Sequence, residues 1–271
     1  MIPKIIHYCW LSDDPYPDEI QRCIDSWRKY LPDYQFIMWD TKQFDVNVLP
    51  WTKQAFEAQK YAFAADYIRL YALYHHGGIY LDSDVLLYRS FNNLLDLPYF
   101  IGQDFTGAFE PAVIGCEPEQ EWIKRVMEYY KNRDFMNVDG SCNMKNLPVV
   151  FFETLFPHFT FNRLSNKESF RYEEDIFNLF GSAFFNGRNN IEPIRKKETY
   201  CSHLFAGSWT DKNSRNRRKI LNLLPKPLRN PVLGLNYHWL RKKQVHYYDP
   251  VFRQRSADRR QTKNGQYNTA V

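Results

Sequence analysis

No stretch of the 271-residue sequence approaches the ~18 consecutive apolar residues of a membrane-spanning helix. The five cysteines, Cys9, Cys23, Cys116, Cys142 and Cys201, are odd in number and form no C-x-x-C pair. That argues against a disulfide framework and a thiolate zinc site, and for a reducing compartment. No G-x-x-x-x-G-K-[ST] loop is present, which counts against P-loop phosphoryl transfer. No nucleic-acid-binding motif is present either, so no nucleic acid is expected as a partner. The run Ile2–Trp10 lacks a basic lead and is too short for a signal peptide. The expected location is therefore cytoplasmic. Acids are scarce at one end: residues 212–271 hold fifteen Lys/Arg against Asp249 and Asp258, a net +13, leaving −8 for residues 1–211. The sequence divides on this charge into a body, 1–211, and a basic, partly helical extension, 212–271. Such an extension attracts anionic membranes or polyanions. Its leucines and aromatics between the charges point to a peripheral position on the inner face of the plasma membrane.

What is present reads as α/β. Lys4–Trp10 predicts a buried strand. Ile20, Cys23, Ile24 and Trp27 form one apolar face of a helix over 18–30, which Pro32 stops. Tyr34–Trp39 is the second strand, and this β-α-β opening predicts a parallel sheet. A helical stretch over 53–76, with room for a break, closes at Gly77-Gly78, the chemistry of a helix C-terminus. Ile79–Leu81 is then a short buried strand, with Val85–Leu87 continuing extended. Tyr99–Gly102 and Ala112–Gly115 are further strands, and Gln120–Asn132 is a helix. The Phe-rich segment 134–198 has no clear period. The aromatic share of 17% is high. Most single aromatics are expected in the core, although their faces also stack on sugars and bases.

The chemistry concentrates in residues 66–84. Asp82 and Asp84 end a buried strand, a hard-oxygen pair suited to Mn²⁺ or Mg²⁺ bridging a diphosphate. Alone, such a triplet is more often a solvated turn. Asp66 and Arg69, three apart on the preceding helix, share a face and would be an ordinary ion pair by themselves. Together they lie near the C-terminal edge of the sheet, where open α/β folds bind ligands.

This stretch resembles glycosyltransferase family 32, the DXD sugar transferases. That group is similar to initiating mannosyltransferases and capsule-synthesis enzymes and, distantly, to the glucosylating domains of clostridial toxins. Ile2–Trp10, Ser26-Trp27, Pro32 and Trp39, the run 66–84, Thr199–His203 and Gly207-Ser208-Trp209 carry the resemblance over about residues 1–211. It implies a GT-A, Rossmann-like domain and a retaining transferase that uses a nucleotide-sugar donor and a divalent metal. Trp10 would stack on the base. Asp66 and Arg69 would bind the donor, and Asp82 would contact its ribose and sugar. Asp84, Asp82 and His203 would hold the metal, and Ser208 and Trp209 would close over the diphosphate. Asp104 and Glu110 are candidate acceptor contacts. The expected reaction moves galactose or glucose from a UDP-sugar to a glycan acceptor, lipid-linked, in capsular or other cell-surface polysaccharide synthesis. The alternative donor is GDP-mannose. Two competing readings are a phosphoryl-transfer or hydrolytic enzyme using the same acids, and a non-enzymatic polyanion binder using the basic extension.

Overall fold

The structure is a computed structural model that describes residues 1–185, 197–205 and 248–256. In chain order it contains β1 (Ile5–Cys9), α1 (Asp18–Tyr30), β2 (Gln35–Trp39), α2 (Pro50–Glu57), α3 (Tyr61–His76), β3 (Gly78–Leu81) and β4 (Val85–Leu87). There follow β5 (Tyr99–Gln103), β6 (Phe109–Cys116), α4 (Glu121–Glu128), α5 (Leu147–Leu155), β7 (Thr160–Leu164), β8 (Ile176–Phe180), α6 (Ser182–Phe185) and β9 (Cys201–His203). Seven strands make one sheet in the order β2-β1-β3-β6-β5-β8-β7. All neighbours pair parallel except at β6, which runs against both β3 and β5. A separate ribbon pairs β4 with β9. Among the described residues no helix is long and apolar enough to cross a membrane.

The opening β-α-β unit forms as its pattern predicts. Helix α1 buries Ile20, Cys23, Ile24 and Trp27, with Asp18 and Glu19 in its first turn and Arg28 and Lys29 in its last, both favourable to the helix dipole. The stretch over 53–76 does break, into two helices. Pro50 opens α2 early, and the chain breaks at Gln59, whose φ is +55°. Helix α3 buries residues on every side from Phe63 to Leu73, Asp66 and Arg69 among them. An internal helix of this kind carries polar side chains inward, where a surface helix would present them to water. It ends at Gly77 (φ +62°), where a Cβ would lie 2.7 Å from Pro118, and Gly78 (φ +94°) brings β3 close against Ile5.

Beneath that turn His7 is fully buried. Trp39 Nε1 donates to its Nδ1 (3.1 Å), so the ring proton sits on Nε2 and is donated to the Gly77 carbonyl (2.9 Å). The bond from Trp39 requires the neutral imidazole, because a protonated ring has no free lone pair on Nδ1. Burial pushes the His7 pKa down to about 4.

The Phe-rich segment supplies α5, β7, β8 and α6. Its aromatics pack on one another, as in the Phe152–Phe156, Phe156–Phe161 and Phe161–Phe177 pairs. Part of the basic extension also packs on the body. Asp249 pairs with Arg163 (2.8 Å), Gln254 accepts from the Phe161 amide (2.8 Å), and Val251 is buried in the helical turn at 250–256.

Candidate functional site

β1 and β3 run parallel, pairing Ile6 with Ile79 and His7 with Tyr80, so Trp10 and Asp82 leave the sheet at the same edge. The base of the site is Arg69. Its guanidinium meets Asp66 (3.0 Å) and Asp82 (3.1 Å), donates to the Pro111 carbonyl (3.0 Å) and lies 4.6 Å from the Tyr80 ring centre. The i,i+3 pair read from the helix therefore exists, but the same arginine also bridges to the strand end. Burial pushes the Asp66 carboxyl up to about 7 against the pull of Arg69. Burial raises Asp82 as well, with Arg69 and His203 opposing and Asp84 and Glu110 adding to the rise.

The Asp82-Ser83-Asp84 turn is held at both ends. The Asp82 amide donates to the Ala112 carbonyl (2.9 Å), and the Val85 amide returns to Asp82 (3.0 Å). From α1, Trp27 Nε1 donates to the Val85 carbonyl (2.6 Å), and Ser26 Oγ accepts from the Leu87 amide (3.0 Å). β9 pairs with β4 so that His203 stands opposite Val85. His203 Nε2 is 3.3 Å from Asp84, and its Nδ1 is 3.1 Å from Glu110. Burial alone would lower the His203 pKa, but Asp84 and Glu110 outweigh it and hold the ring well above its ordinary value. Phe205, itself at φ +53°, stacks on the ring at 4.0 Å.

Ligand atoms of Asp82, Asp84 and His203 lie within 4.8 Å of one another. Asp84 is 7% exposed and the Asp82 side chain 26%. Two carboxylates and one imidazole fit a hard or borderline divalent cation such as Mn²⁺ or Mg²⁺. The charge balance fits as well, because Asp66, Asp82, Asp84 and Glu110 face one guanidinium and one imidazole.

The other expected site residues are placed variously. Trp10 sits where β1 ends; its indole donates to the Asp14 carbonyl (2.9 Å) and packs edge-on against Tyr16. It lines a cavity of about 530 Å³ with Asp14, Tyr16, Met38, Asp40 and Lys42, and Asp82, Asp84 and His203 do not line that cavity. Asp104 makes its hydrogen bonds within a turn beside the cluster. Its carboxylate accepts from the Thr106 amide and hydroxyl (both 2.7 Å) and the Ala108 amide (3.1 Å), closing the β5–β6 turn. Glu110 lies behind His203 and is 4% exposed. Ser208 and Trp209 fall outside the described residues.

Residues 17–101 match the family described as the glycosyltransferase sugar-binding region containing the DXD motif. This segment is similar to a DXD sugar-binding region. A mannosyl phosphorylinositol ceramide synthase of Saccharomyces cerevisiae is 29% identical over 164 residues, covering 56% of this chain and 42% of that protein. An uncharacterized glycosyltransferase of Acanthamoeba polyphaga mimivirus is 26% identical over 221 residues, 77% of this chain and 84% of that one. The chain thus spans about two fifths of the length of the yeast relative. Among solved structures, the PaToxG glycosyltransferase aligns at a TM-score of 0.45 and 20% identity over 58% of this chain and 69% of its own.

The DXD sugar-binding region contains Asp66, Arg69, Asp82 and Asp84, whereas Trp10, Glu110 and His203 lie beyond its limits. Sequence reasoning missed three contributors. The Pro111 and Ala112 carbonyls are backbone groups with no side-chain signature. Phe205 carries no signal beyond its nearness to His203. Ser26 and Trp27 stood out in the sequence, but only the structure shows that they grip the strand leaving the DXD turn.

Proposed function

We propose that this protein is a metal-dependent, retaining glycosyltransferase that moves a hexose from a nucleotide sugar to a glycan or lipid-linked acceptor. The observation that carries this reading is the gathering of Asp82, Asp84 and His203 beside the Arg69 bridge, within a DXD sugar-binding region. In this reading Asp84, Asp82 and His203 hold Mn²⁺ or Mg²⁺. Held there, the cation would supply positive charge to offset the charge that develops on the leaving diphosphate. Arg69 contributes fixed charge beside it, and because its guanidinium is already engaged on three sides, little reorganisation is needed during the reaction. Asp66 binds donor hydroxyls, and Trp10 offers the base a face beside the 530 Å³ cavity. No protein nucleophile is assigned; the acceptor proton passes to a donor phosphate oxygen in a same-face displacement.

The yeast relative is named for mannosyl transfer, which moves GDP-mannose ahead of the UDP-galactose or UDP-glucose expected from sequence. Its name also favours an anionic lipid carrying a polyol over a capsular glycan as acceptor. The +13 extension suits such a surface, and a peripheral position on the inner face of the plasma membrane belongs to the same proposal.

The test is thermal stabilisation of the full chain by GDP or UDP, each with and without Mn²⁺, followed by assay of the matching sugar nucleotides. Metal-dependent stabilisation by GDP with transfer from GDP-mannose supports the mannose reading. The same pattern with UDP and a UDP-hexose replaces the donor but keeps the reaction. Free phosphate release without sugar transfer overturns the function.

A further inference from the structure

We propose that Glu110 is a positioning residue that fixes the tautomer and ring plane of His203 for the divalent cation, and that the irregularity between β5 and β6 delivers it there. The proposal rests on the reading that a cation sits among Asp82, Asp84 and His203. Ile101 pairs with Ile114, but the next residue, Gly102, pairs with Glu110. One step along β5 therefore spans four residues of β6. Irregularities of this kind re-aim side chains and recur beside active sites. Within it Pro111 has no amide hydrogen to leave unpaired. Three consecutive residues then touch three different site groups. Glu110 meets His203, the Pro111 carbonyl accepts from Arg69, and the Ala112 carbonyl accepts from the Asp82 amide.

Glu110 is an unusual occupant of its strand, because β6 is buried along its whole length and every other side chain in it is apolar or absent. A carboxylate there needs a partner. Its Oε1 lies 3.1 Å from His203 Nδ1. An imidazole that ligates through Nε2 carries its proton on Nδ1. A carboxylate accepting that proton holds the ring in one tautomer and makes Nε2 a better donor to the metal. Phe205, stacked at 4.0 Å, restrains the ring face, so Glu110 and Phe205 together leave Nε2 directed toward Asp84.

The experiment is Mn²⁺ titration of the full chain by electron paramagnetic resonance, without donor or acceptor, on the wild type, Glu110→Ala, Glu110→Gln and Asp84→Asn. It is paired with ¹⁵N resonances of the His203 ring in the presence of Mg²⁺. The expected result is binding weakened roughly 10- to 100-fold in Glu110→Ala. Glu110→Gln, which keeps an acceptor oxygen, retains both the Nδ1–H tautomer and most of the affinity. Should Glu110→Ala not fold, Glu110→Met removes the acceptor at similar volume and carries the same test. Wild-type affinity and an unchanged tautomer in Glu110→Ala, with binding lost in Asp84→Asn, would overturn the role of Glu110 while leaving the metal site standing. Failure of the wild type to bind Mn²⁺, even with GDP or UDP added, would overturn the metal site and this proposal with it.

Discussion

The two walls of the site are built in different ways. The near wall, from Asp66 to Asp84, is one continuous helix–turn–strand in which Arg69 reaches an acid three residues before it and another at the following strand end. The far wall is assembled from β6 and β9, whose contact between Glu110 and His203 joins residues 93 apart in sequence. The near wall carries charge on a segment that forms locally. The far wall depends on strand pairing and on a shift of register. Substitutions in the near wall should therefore remove chemistry or leave buried charges unpaired. Substitutions in the far wall should change how His203 is held, and substitutions in its supports should move the DXD turn while leaving the charges in place.

The largest expected effect is at the point where the walls meet. Asp84→Asn should lower kcat/KM by roughly 10³-fold, the scale of losing metal-based charge stabilisation, with an unchanged circular dichroism spectrum. Activity near wild type would separate the acidic pair from the reaction. In the near wall, Arg69→Met leaves Asp66 and Asp82 facing each other without their shared cation. Removing one partner of a buried pair costs about 3–5 kcal/mol, to be read from urea unfolding. Arg69→Lys should recover only part of this, because an ammonium cannot span both acids and the Pro111 carbonyl as a planar fork does. Full recovery would show that charge alone matters there.

Beneath the near wall, His7 provides a pH test. Its pKa falls from 6.5 in the unfolded chain to about 4 in the fold, so between those values the unfolded chain binds the extra proton. The stability from keeping the ring neutral is present above pH 6.5 and is lost as pH falls toward 4, about 3 kcal/mol over that window. The unfolding free energy measured across that range should show this loss, and His7→Gln should flatten it. An identical slope in the variant would place the titrating group elsewhere. The smallest effect is expected in the support shared by the two walls. Trp27→Phe keeps the ring in α1 but deletes the donor to the Val85 carbonyl, costing about 1–3 kcal/mol. A fall in kcat that exceeds the rise in KM would show that the bond positions the DXD turn as well as stabilising the fold.

Legibility in the sequence follows the same division. The β-α-β opening, the run from Asp66 to Asp84 and the strand after Gly78 were readable, because helical spacing, a two-glycine stop and a short apolar strand are local patterns. The position of the break, at Gln59, was not, since a residue at positive φ leaves no reliable mark unless it is glycine. The segment 134–198 resisted because strands buried on both faces, such as Ile176–Phe180, show no alternation. Asp104 and Glu110 looked alike as acids near a strand. The fold uses the first to close a turn and sets the second behind a histidine.

By itself, the sequence determined the class of the fold, the acidic pair with its arginine, and the charge division between the body and the extension. These depend on neighbours within a few turns of the chain. The tertiary structure decided which residues form the far wall, how Trp27 holds the DXD turn, and that residues 248–256 return to the body through Asp249 and Arg163. The physical reason is that strand register and long-range hydrogen bonds are properties of the assembled sheet. A shift of one residue in β6 would turn Glu110 away from His203 without changing any local propensity.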